Sequence, residues 1–294
     1  MMKKALLALV ALPLALVSLA ACAKSGDSSQ AGKSNDKPLV ATSFYPMYAF
    51  TKAVAGDELN VVNILPSNQD IHEFEPSAKA TAQMTDAKAL VYNDKDLEKW
   101  ASGVQTKGLK IEAAEAIKTI ESDPHTWLAP KEAITEVETI AEGLEKAFPD
   151  KKDSFEKNKT AYIKKLEKLD ADYQKGLKDT KQKVIVTQHD AFSYMARDYG
   201  LKNVAVAGVD PEAEPSSATL VKLKEELQKN KVKYVYTEMN VNDKIAKSLA
   251  EGSGAKLVEL NTLESITDKD SMDSETYIKI MEDNLKTLES TLNE

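Results

Sequence analysis

Residues 150–180 read DKKDSFEKNKTAYIKKLEKLDADYQKGLKDT, with no proline and a single glycine, Gly176. Apolar side chains recur in this stretch at intervals of three, four or seven residues, which is the spacing of one face of an amphipathic helix. Pro149 directly precedes the stretch and suits a helix start. At 1.5 Å per residue, about 30 residues would make a rod of roughly 45 Å. The apolar stripe consists of Phe155, Tyr162, Leu166, Leu169, Tyr173 and Leu177.

This predicted helix divides the chain into two halves. A coiled-coil protomer is the alternative, but the stripe is sparse and lasts less than four heptads. We therefore interpret residues 150–180 as a helix that links an N-terminal lobe (38–149) to a C-terminal lobe (181–294). Short runs of mostly continuous hydrophobicity occur in both halves, as in strands buried on both faces of a parallel sheet. These runs are 39–43, 59–64, 90–92, 184–187, 204–207, 232–237 and 256–260.

Helical patterns alternate with the strand patterns, for example at 217–229 and 277–292. This alternation indicates an α/β protein with two small lobes of parallel-type sheet, one long rigid connecting helix and a cleft between the lobes. The tripeptide Glu-Pro-Ser occurs once in each half, at 75–77 and 214–216, each time before a helical stretch. Ser77 and Ser216 are predicted to cap those helices.

The N-terminus resembles a secretory signal. Lys3 and Lys4 precede an apolar run over 5–21, which ends in the sequence Leu-Ala-Ala-Cys at 19–22. This ending resembles the bacterial lipobox, so residues 1–21 are predicted to be a signal peptide and Cys22, the only cysteine, the lipidation site. An uncleaved membrane anchor is the alternative. Residues 22–37 are polar and predict a flexible tether at the extracellular side of the cell membrane.

The charge of the predicted mature chain argues against polyanionic partners. Removal of residues 1–21 takes away two lysines, so the net charge becomes 37 − 47 = −10. A chain this acidic is not expected to bind nucleic acid, nor anionic lipid by electrostatic attraction. Arg197 is the only arginine.

The chain has only three histidines, His72, His125 and His189, each in a short motif rich in proline or acidic residues. Neutral imidazole is the commonest protein ligand for zinc. Ligands this far apart must be brought together by the tertiary fold. His72 and His189 follow predicted strands, and ligands of open α/β sheets collect beyond the carboxyl ends of strands. The histidines therefore predict a metal site in the cleft.

These motifs together resemble the metal-binding solute receptors of bacterial zinc and manganese ABC importers, also called adhesin-type lipoproteins. The resemblance covers the whole chain, and the number and order of the motifs make it specific. Besides the lipobox, they are Thr42-Ser-Phe-Tyr-Pro46, His72-Glu-Phe-Glu-Pro-Ser77, Asp123-Pro-His-Thr-Trp-Leu-Ala-Pro130, His189-Asp-Ala-Phe-Ser-Tyr194, Tyr199-Gly200, Glu214-Pro-Ser216 and Leu260-Asn-Thr-Leu-Glu264.

The resemblance implies two lobes joined by one long helix, with a metal ion held between them by ligands from four loops. The matching residues here are His72, His125, His189 and Glu264. A histidine at the third position implies Zn²⁺ as the transported ion, since manganese receptors of the family usually have a carboxylate there. Residues 73–124 contain no histidine, so the histidine-rich loop of many zinc receptors is missing, and Mn²⁺ or mixed binding stays open. The expected partner is an ABC-transporter permease, and the chain is expected to be a monomer.

Acidic residues near the motifs are candidates for orienting the imidazoles. They are Asp123, Asp190, Glu238, Glu73 and Glu75. Trp127 is expected to pack beneath its loop, and Phe44, Tyr45 and Tyr194 within the lobes.

A secreted zinc hydrolase is the main alternative from another class, since catalytic zinc keeps three protein ligands and an open water position. Glu73 or Glu75 could then act as a base. Glu264 favours the receptor instead, because a fourth protein ligand closes the site. An adhesin function would be compatible with transport, but no residue specifies it.

Overall fold

The long helix predicted from residues 150–180 is present in the computed structural model as α5, Lys152–Lys178. The structure describes residues 37–67, 69–120, 123–239, 241–266 and 272–294. Helix α5 buries all six side chains of the predicted stripe. It packs most extensively against α1 (Tyr45–Ala55), α4 (Pro130–Ala147) and α9 (Ser274–Leu292). The predicted signal peptide, Cys22 and nearly all of the predicted tether lie outside the described residues.

The N-terminal sheet has four parallel strands: β1 (Leu39–Thr42), β2 (Asn60–Asn63), β3 (Ala89–Tyr92) and β4 (Leu109–Glu112). Their order across the sheet is β2-β1-β3-β4, so β1 and β3 are central. Strand β4 was not among the predicted strands. It lies at the sheet edge with only Ile111 buried, and it therefore lacks the continuous apolar run of a central parallel strand.

The C-terminal sheet repeats this arrangement with β5 (Val184–Thr187), β6 (Lys202–Ala205), β7 (Tyr234–Thr237) and β8 (Lys256–Glu259). All neighbouring strands are parallel and their order is β6-β5-β7-β8. The strand predicted at 204–207 begins two residues earlier, and the one predicted at 232–237 begins two residues later. Two sheets with the same strand order confirm the predicted α/β fold with two parallel-sheet lobes.

The repeated Glu-Pro-Ser tripeptide marks equivalent helix starts. Ser77 Oγ accepts a hydrogen bond of 3.2 Å from the Ala80 N–H at the start of α2 (Ala78–Asp86). Ser216 Oγ accepts one of 3.2 Å from the Thr219 N–H at the start of α7 (Ser217–Lys229). The two predicted caps are thus formed in the same way. The remaining helices are α3 (Lys99–Ser102), α6 (Ser193–Tyr199) and α8 (Lys244–Ser253), and short 3₁₀ turns lie at Thr126–Leu128 and Pro149–Lys151.

Hydrogen bonds of tyrosine hydroxyls connect α5 to α9 and α6. Tyr162 and Tyr173 donate to the backbone carbonyls of Ser274 and Met281 in α9, at 2.9 and 2.8 Å. Toward its carboxyl end, Asp170 of α5 accepts a hydrogen bond of 2.8 Å from the Tyr199 hydroxyl of α6. Residues 37–294 consequently form one compact unit. None of the helices in the described part of the chain is long and apolar enough to span a membrane.

Candidate metal centre

The four predicted ligands all follow the carboxyl ends of strands. His72 comes after β2, His125 after β4, His189 after β5 and Glu264 after β8. Loops beyond the carboxyl ends of strands in both sheets meet at this point, as expected for a binding cleft in an α/β fold. One donor atom from each of the four side chains lies within 4.8 Å of the other three. The fold therefore brings together all four residues that were predicted to bind a metal.

The spacing of these atoms suits one small tetrahedral ion. Glu264 Oε1 lies 2.9 Å from His72 Nε2 and 3.0 Å from His125 Nε2. His189 Nε2 lies 3.7 Å from the same oxygen and 3.3 Å from His125 Nε2. Tetrahedral zinc with bonds of 2.0–2.1 Å holds neighbouring ligand atoms roughly 3.3 Å apart. The donor set, three imidazoles and one carboxylate, also matches the ligands that zinc prefers.

His125 is held from behind by Asp123. The carboxylate oxygen Oδ1 of Asp123 lies 2.7 Å from His125 Nδ1 and accepts a bond of 2.9 Å from the His125 backbone N–H. Its other oxygen accepts a 3.2 Å bond from the N–H of Ser193, the first residue of α6. Asp123 therefore orients the ring and also ties its loop to the C-terminal half.

His189 is held in the same manner by Glu238, the residue that follows β7. Glu238 Oε1 lies 2.6 Å from His189 Nδ1 and 3.3 Å from its backbone nitrogen. A proton on Nδ1, directed at a carboxylate, leaves the Nε2 lone pair of a neutral ring free to bind a metal. Both His125 and His189 present that Nε2 atom to the centre of the cluster.

His72 lies at the edge of the cluster. Its side chain is 9 % exposed, whereas those of His125 and His189 are fully buried. Its backbone N–H donates to Asp70 Oδ1 at 2.7 Å. The His72 ring borders a cleft of about 920 Å³ whose described charged lining is acidic apart from Lys99. This cleft gives solvent a path to the cluster from one side.

The charges of the cluster are strongly coupled. Burial alone lowers the pKa of His125, but the hydrogen bonds and charges of Asp123 and Glu264 outweigh burial and raise it to about 9. For His189, burial is likewise outweighed by Glu264 and Glu238, which raise the pKa to about 11. Burial raises the pKa of Glu264, yet the charge of His189 and hydrogen bonds to the three histidines bring it well below its ordinary value. A cation is therefore favoured here, as a proton or as a metal ion.

The other candidate orienting residues are not beside a histidine ring. Asp190 Oδ1 accepts hydrogen bonds from Ser193 Oγ and Asn203 Nδ2, at 2.7 and 2.9 Å. Glu73 and Glu75 are exposed along the cleft. Of the five acidic candidates, Asp123 and Glu238 are thus the ones that reach an imidazole.

Trp127 has a larger part in the site than packing alone. Its ring is fully buried, with its centroid 5.2 Å from that of His125, and its Nε1–H donates to the Thr262 carbonyl at 2.8 Å. Since Thr262 lies two residues before Glu264, this bond connects the loops of two ligands. Phe44 packs edge-on against Trp127 at 4.7 Å.

Sequence reasoning missed the residues that brace the His125 loop. Asn93 Nδ2 donates to the Pro124 carbonyl at 2.7 Å, and Asn93 Oδ1 lies 3.0 Å from Thr126 Oγ1, so one amide holds both neighbours of His125. Behind Thr126 lies Glu136 of α4, which is fully buried. Thr126 was part of the quoted motif, but Glu136 had no signal, because a single acid in an amphipathic helix normally faces solvent.

The fold and the cluster define a class of protein with two parallel-sheet α/β lobes, one long connecting helix and a three-histidine, one-carboxylate group between the sheets. Residues 40–291 match the family model described as zinc-uptake complex component A, periplasmic (ZnuA). The chain belongs to this family, which confirms the resemblance inferred from its motifs.

Relatives and solved structures agree with this assignment. The chain is 42 % identical to the zinc-binding lipoprotein AdcA of Streptococcus pneumoniae, over 100 % of this chain but 62 % of that protein. It is 37 % identical to the high-affinity zinc uptake system protein ZnuA of Bacillus subtilis, over 93 % of each. The Zn(II)-bound ZnuA-like domain of S. pneumoniae AdcA superposes with a TM-score of 0.78 and 45 % identity, covering 88 % of this chain and 100 % of that one. The chain therefore spans less than two thirds of AdcA.

Proposed function

We propose that this protein is an extracytoplasmic receptor that binds one Zn²⁺ ion through His72, His125, His189 and Glu264 and delivers it to an ABC importer. The observation that carries this proposal is the convergence of four metal-ligand atoms within 4.8 Å, from loops of both sheets. The carboxylates behind His125 and His189 support it, because metal-binding histidines almost always donate their second N–H to such a partner. The relatives named above, a zinc-binding lipoprotein and a zinc uptake protein, support Zn²⁺ as the bound ion.

Capture and release suit this site better than catalysis. A catalytic zinc keeps a position for water, whereas Glu264 supplies a fourth protein ligand. The two carboxylates that might serve as bases, Glu73 and Glu75, are exposed and have no hydrogen bond to a site histidine among the described residues. The relatives give the hydrolase alternative no support. We therefore propose that the protein is not an enzyme.

Zinc is proposed ahead of manganese because of the donor set. Three imidazole nitrogens and one carboxylate suit four-coordinate zinc, while Mn²⁺ is better served by more oxygen ligands. Affinity for the same nitrogen and oxygen ligands also rises from Mn²⁺ to Zn²⁺. A manganese or mixed receptor is the second candidate, since the histidine-free stretch 73–124 departs from the zinc receptors with a histidine-rich loop.

Membrane attachment through Cys22 and a permease partner complete the proposal. The lipobox-like ending at 19–22 and the lipoprotein name of the pneumococcal relative support an anchor on the extracellular side of the cell membrane. The family description, a component of a zinc-uptake complex, supports a membrane permease as partner. The receptor itself is proposed to act as a monomer. Replacement of Cys22 with Ser should abolish the incorporation of labelled palmitate, and labelling of the variant equal to that of the wild type would contradict lipidation at this residue.

Metal analysis of the protein purified without a histidine tag tests the function directly. We expect one zinc per chain, and competition titrations in which Mn²⁺ displaces Zn²⁺ only at large excess. His125→Ala should abolish stoichiometric binding. Two ions per chain, a preference for Mn²⁺, or undiminished zinc binding by His125→Ala would each contradict the proposed site.

A further inference from the structure

Two glutamates behind the His125 loop are fully buried and have no part in the metal-ligand cluster. Glu98 and Glu136 each lie at 0 % exposure, and each reaches Asn93, Glu98 directly and Glu136 through Thr126. Asn93 in turn holds both sides of His125. Assigning the donor and the acceptor of each hydrogen bond in this series shows which of the two glutamates is ionised.

The orientation of Asn93 follows from the Pro124 carbonyl. A carbonyl oxygen only accepts hydrogen bonds, so the atom of Asn93 that lies 2.7 Å from it must be the amide nitrogen. The amide oxygen then faces Thr126 Oγ1 at 3.0 Å, and it too can only accept. A threonine hydroxyl has one hydrogen, and Asn93 requires it.

Thr126 Oγ1 is also in hydrogen-bond contact with Glu136 Oε1. Because the threonine hydrogen is directed to Asn93, the hydrogen of this second bond must come from Glu136. We propose that Glu136 is a neutral carboxylic acid whose O–H donates to Thr126 and thereby positions the loop that presents His125 to the metal. The metal-binding part of this inference rests on the proposed zinc function.

The surroundings of Glu136 favour the neutral form. Its second oxygen, Oε2, is buried and has no hydrogen-bond partner among the described residues, which would be costly for a carboxylate. The charged or titratable groups around it are Glu132, Glu98 and Tyr277, none of which supplies a positive charge. Burial raises the pKa of Glu136 to about 8, with Glu132 and Glu98 adding to the effect and the contact with Thr126 opposing it.

Glu98 shows the opposite arrangement at the same depth. Its Oε1 accepts from the Ser43 hydroxyl at 2.5 Å and from the Asn93 N–H at 2.9 Å, and its Oε2 accepts from the Asp94 N–H at 2.8 Å. Burial raises the pKa of Glu98 to about 7, and the bonds from the Asn93 and Asp94 N–H groups and the Ser43 hydroxyl oppose it. Three donors directed at one carboxyl group therefore favour its ionised form more than the surroundings of Glu136 do. The two buried glutamates therefore differ in chemical role, Glu98 as an acceptor and Glu136 as a donor.

The same substitution should therefore affect zinc affinity differently at the two positions. Glu136→Gln keeps a neutral side chain with a donor toward Thr126, so zinc affinity at pH 7, measured by competition with a chelator, should stay near that of the wild type. Glu98→Gln turns an amide N–H toward a backbone N–H, so affinity should fall roughly tenfold, at the low end of the effect of outer partners on metal sites. Thr126→Val should cause a similar fall, and Thr126→Ser should restore affinity.

Infrared difference spectroscopy supplies a readout independent of zinc. The wild type should show the C=O band of a protonated carboxyl group at pH 7, with and without zinc. Glu136→Gln should lose most of this band and Glu98→Gln should retain most of it, because the pKa of Glu136 is the higher of the two. The proposal would be overturned if that band were absent, or if it were lost in Glu98→Gln alone. It would also be overturned if Glu136→Gln failed to fold or bound zinc as weakly as Thr126→Val. If the wild type binds no zinc, the proposed function fails, and the band still decides the state of Glu136.

Discussion

His125 and His189 differ from His72 in burial and in support. The first two rings are fully buried, and each has a carboxylate oxygen within 2.7 Å of its Nδ1 atom. The His72 ring is 9 % exposed, and its Nδ1 has no hydrogen-bond partner among the described residues. Two ligands are thus held from behind by carboxylates before any metal arrives, and the third lies at the edge of the cleft without such a partner on Nδ1.

This difference follows from where the supporting residues lie in the two sheets. Asn93 follows β3 and Glu238 follows β7, which occupy the same place in the strand order of their sheets. Each lobe therefore uses the end of its third strand to support one buried histidine. His72 lies on the connection between β2 and α2, and among the described residues no side chain that follows a strand bonds to its Nδ1 atom. Two firmly supported ligands and one less supported ligand would suit the proposed capture and release of zinc.

The largest expected effect is the loss of a buried histidine. His125→Ala and His189→Ala should each weaken zinc binding by more than the roughly 100-fold upper effect of losing an outer partner. His72→Ala should have a smaller effect, because solvent in the adjoining cleft can take its place on the ion. Chelator competition with all three variants measures this order. Equal losses of zinc affinity in the three variants would mean that His125 and His189 do not differ from His72 as ligands.

Glu264→Ala should have the next largest effect. Losing the carboxylate leaves three imidazoles and opens a position for water, which is the arrangement of catalytic zinc. We expect weaker binding, faster release of zinc to a chelator and slight hydrolytic activity, with no such activity in the wild type. A wild type that holds a metal-bound water and turns over ester or peptide substrates would instead support the hydrolase alternative.

Removing the support of a buried histidine should have a moderate effect. Glu238→Gln replaces the acceptor of His189 with a weaker one, and zinc affinity should fall about tenfold or somewhat more. Asp190→Asn is the matched control, because Asp190 is next to His189 in the chain but hydrogen-bonds to Ser193 and Asn203. Similar losses in both variants would mean that negative charge near the site, rather than ring orientation, sets the affinity.

The smallest effect concerns pH. Because the pKa of His125 is raised to about 9, its protonation stabilises the metal-free fold below the unfolded value near 6.5, and that stability is lost as pH rises through about 9. Zinc must displace the proton on each ligating nitrogen, so its stabilising effect should grow as pH rises toward about 9, including the step from pH 5 to 7. Melting temperatures with and without zinc, held constant by a metal buffer, at pH 5, 7 and 9 test this. An equal zinc-induced shift at pH 5 and 7 would argue against histidine ligation.

Much of the fold could be predicted because its signals are local. The stripe from Phe155 to Leu177 predicts α5, and continuous apolar runs predict the central strands. Strand β4 could not be predicted in the same way, since an edge strand with one buried residue resembles a loop. The three histidine ligands were found because histidine is rare in this chain, whereas Glu264 was predicted only through the family resemblance.

The supports of the site could be predicted only in part. Asp123 and Glu238 could not be separated from Asp190, Glu73 and Glu75, because all five are acids near the motifs and only tertiary distances distinguish them. Asn93 and Glu136 act through contacts between distant segments. Spacing along the chain carries no information about such contacts.

X-ray absorption at the zinc edge on the zinc-loaded protein tests the central claim most directly, namely that one ion lies among three imidazoles and Glu264. We predict a first shell of three imidazole nitrogens and one carboxylate oxygen at about 2.0–2.2 Å, with no sulfur. The His125→Ala variant should lose one imidazole from that shell if it retains zinc. Fewer than three imidazoles in the wild type, or a water in place of the carboxylate, would contradict the site described for this protein.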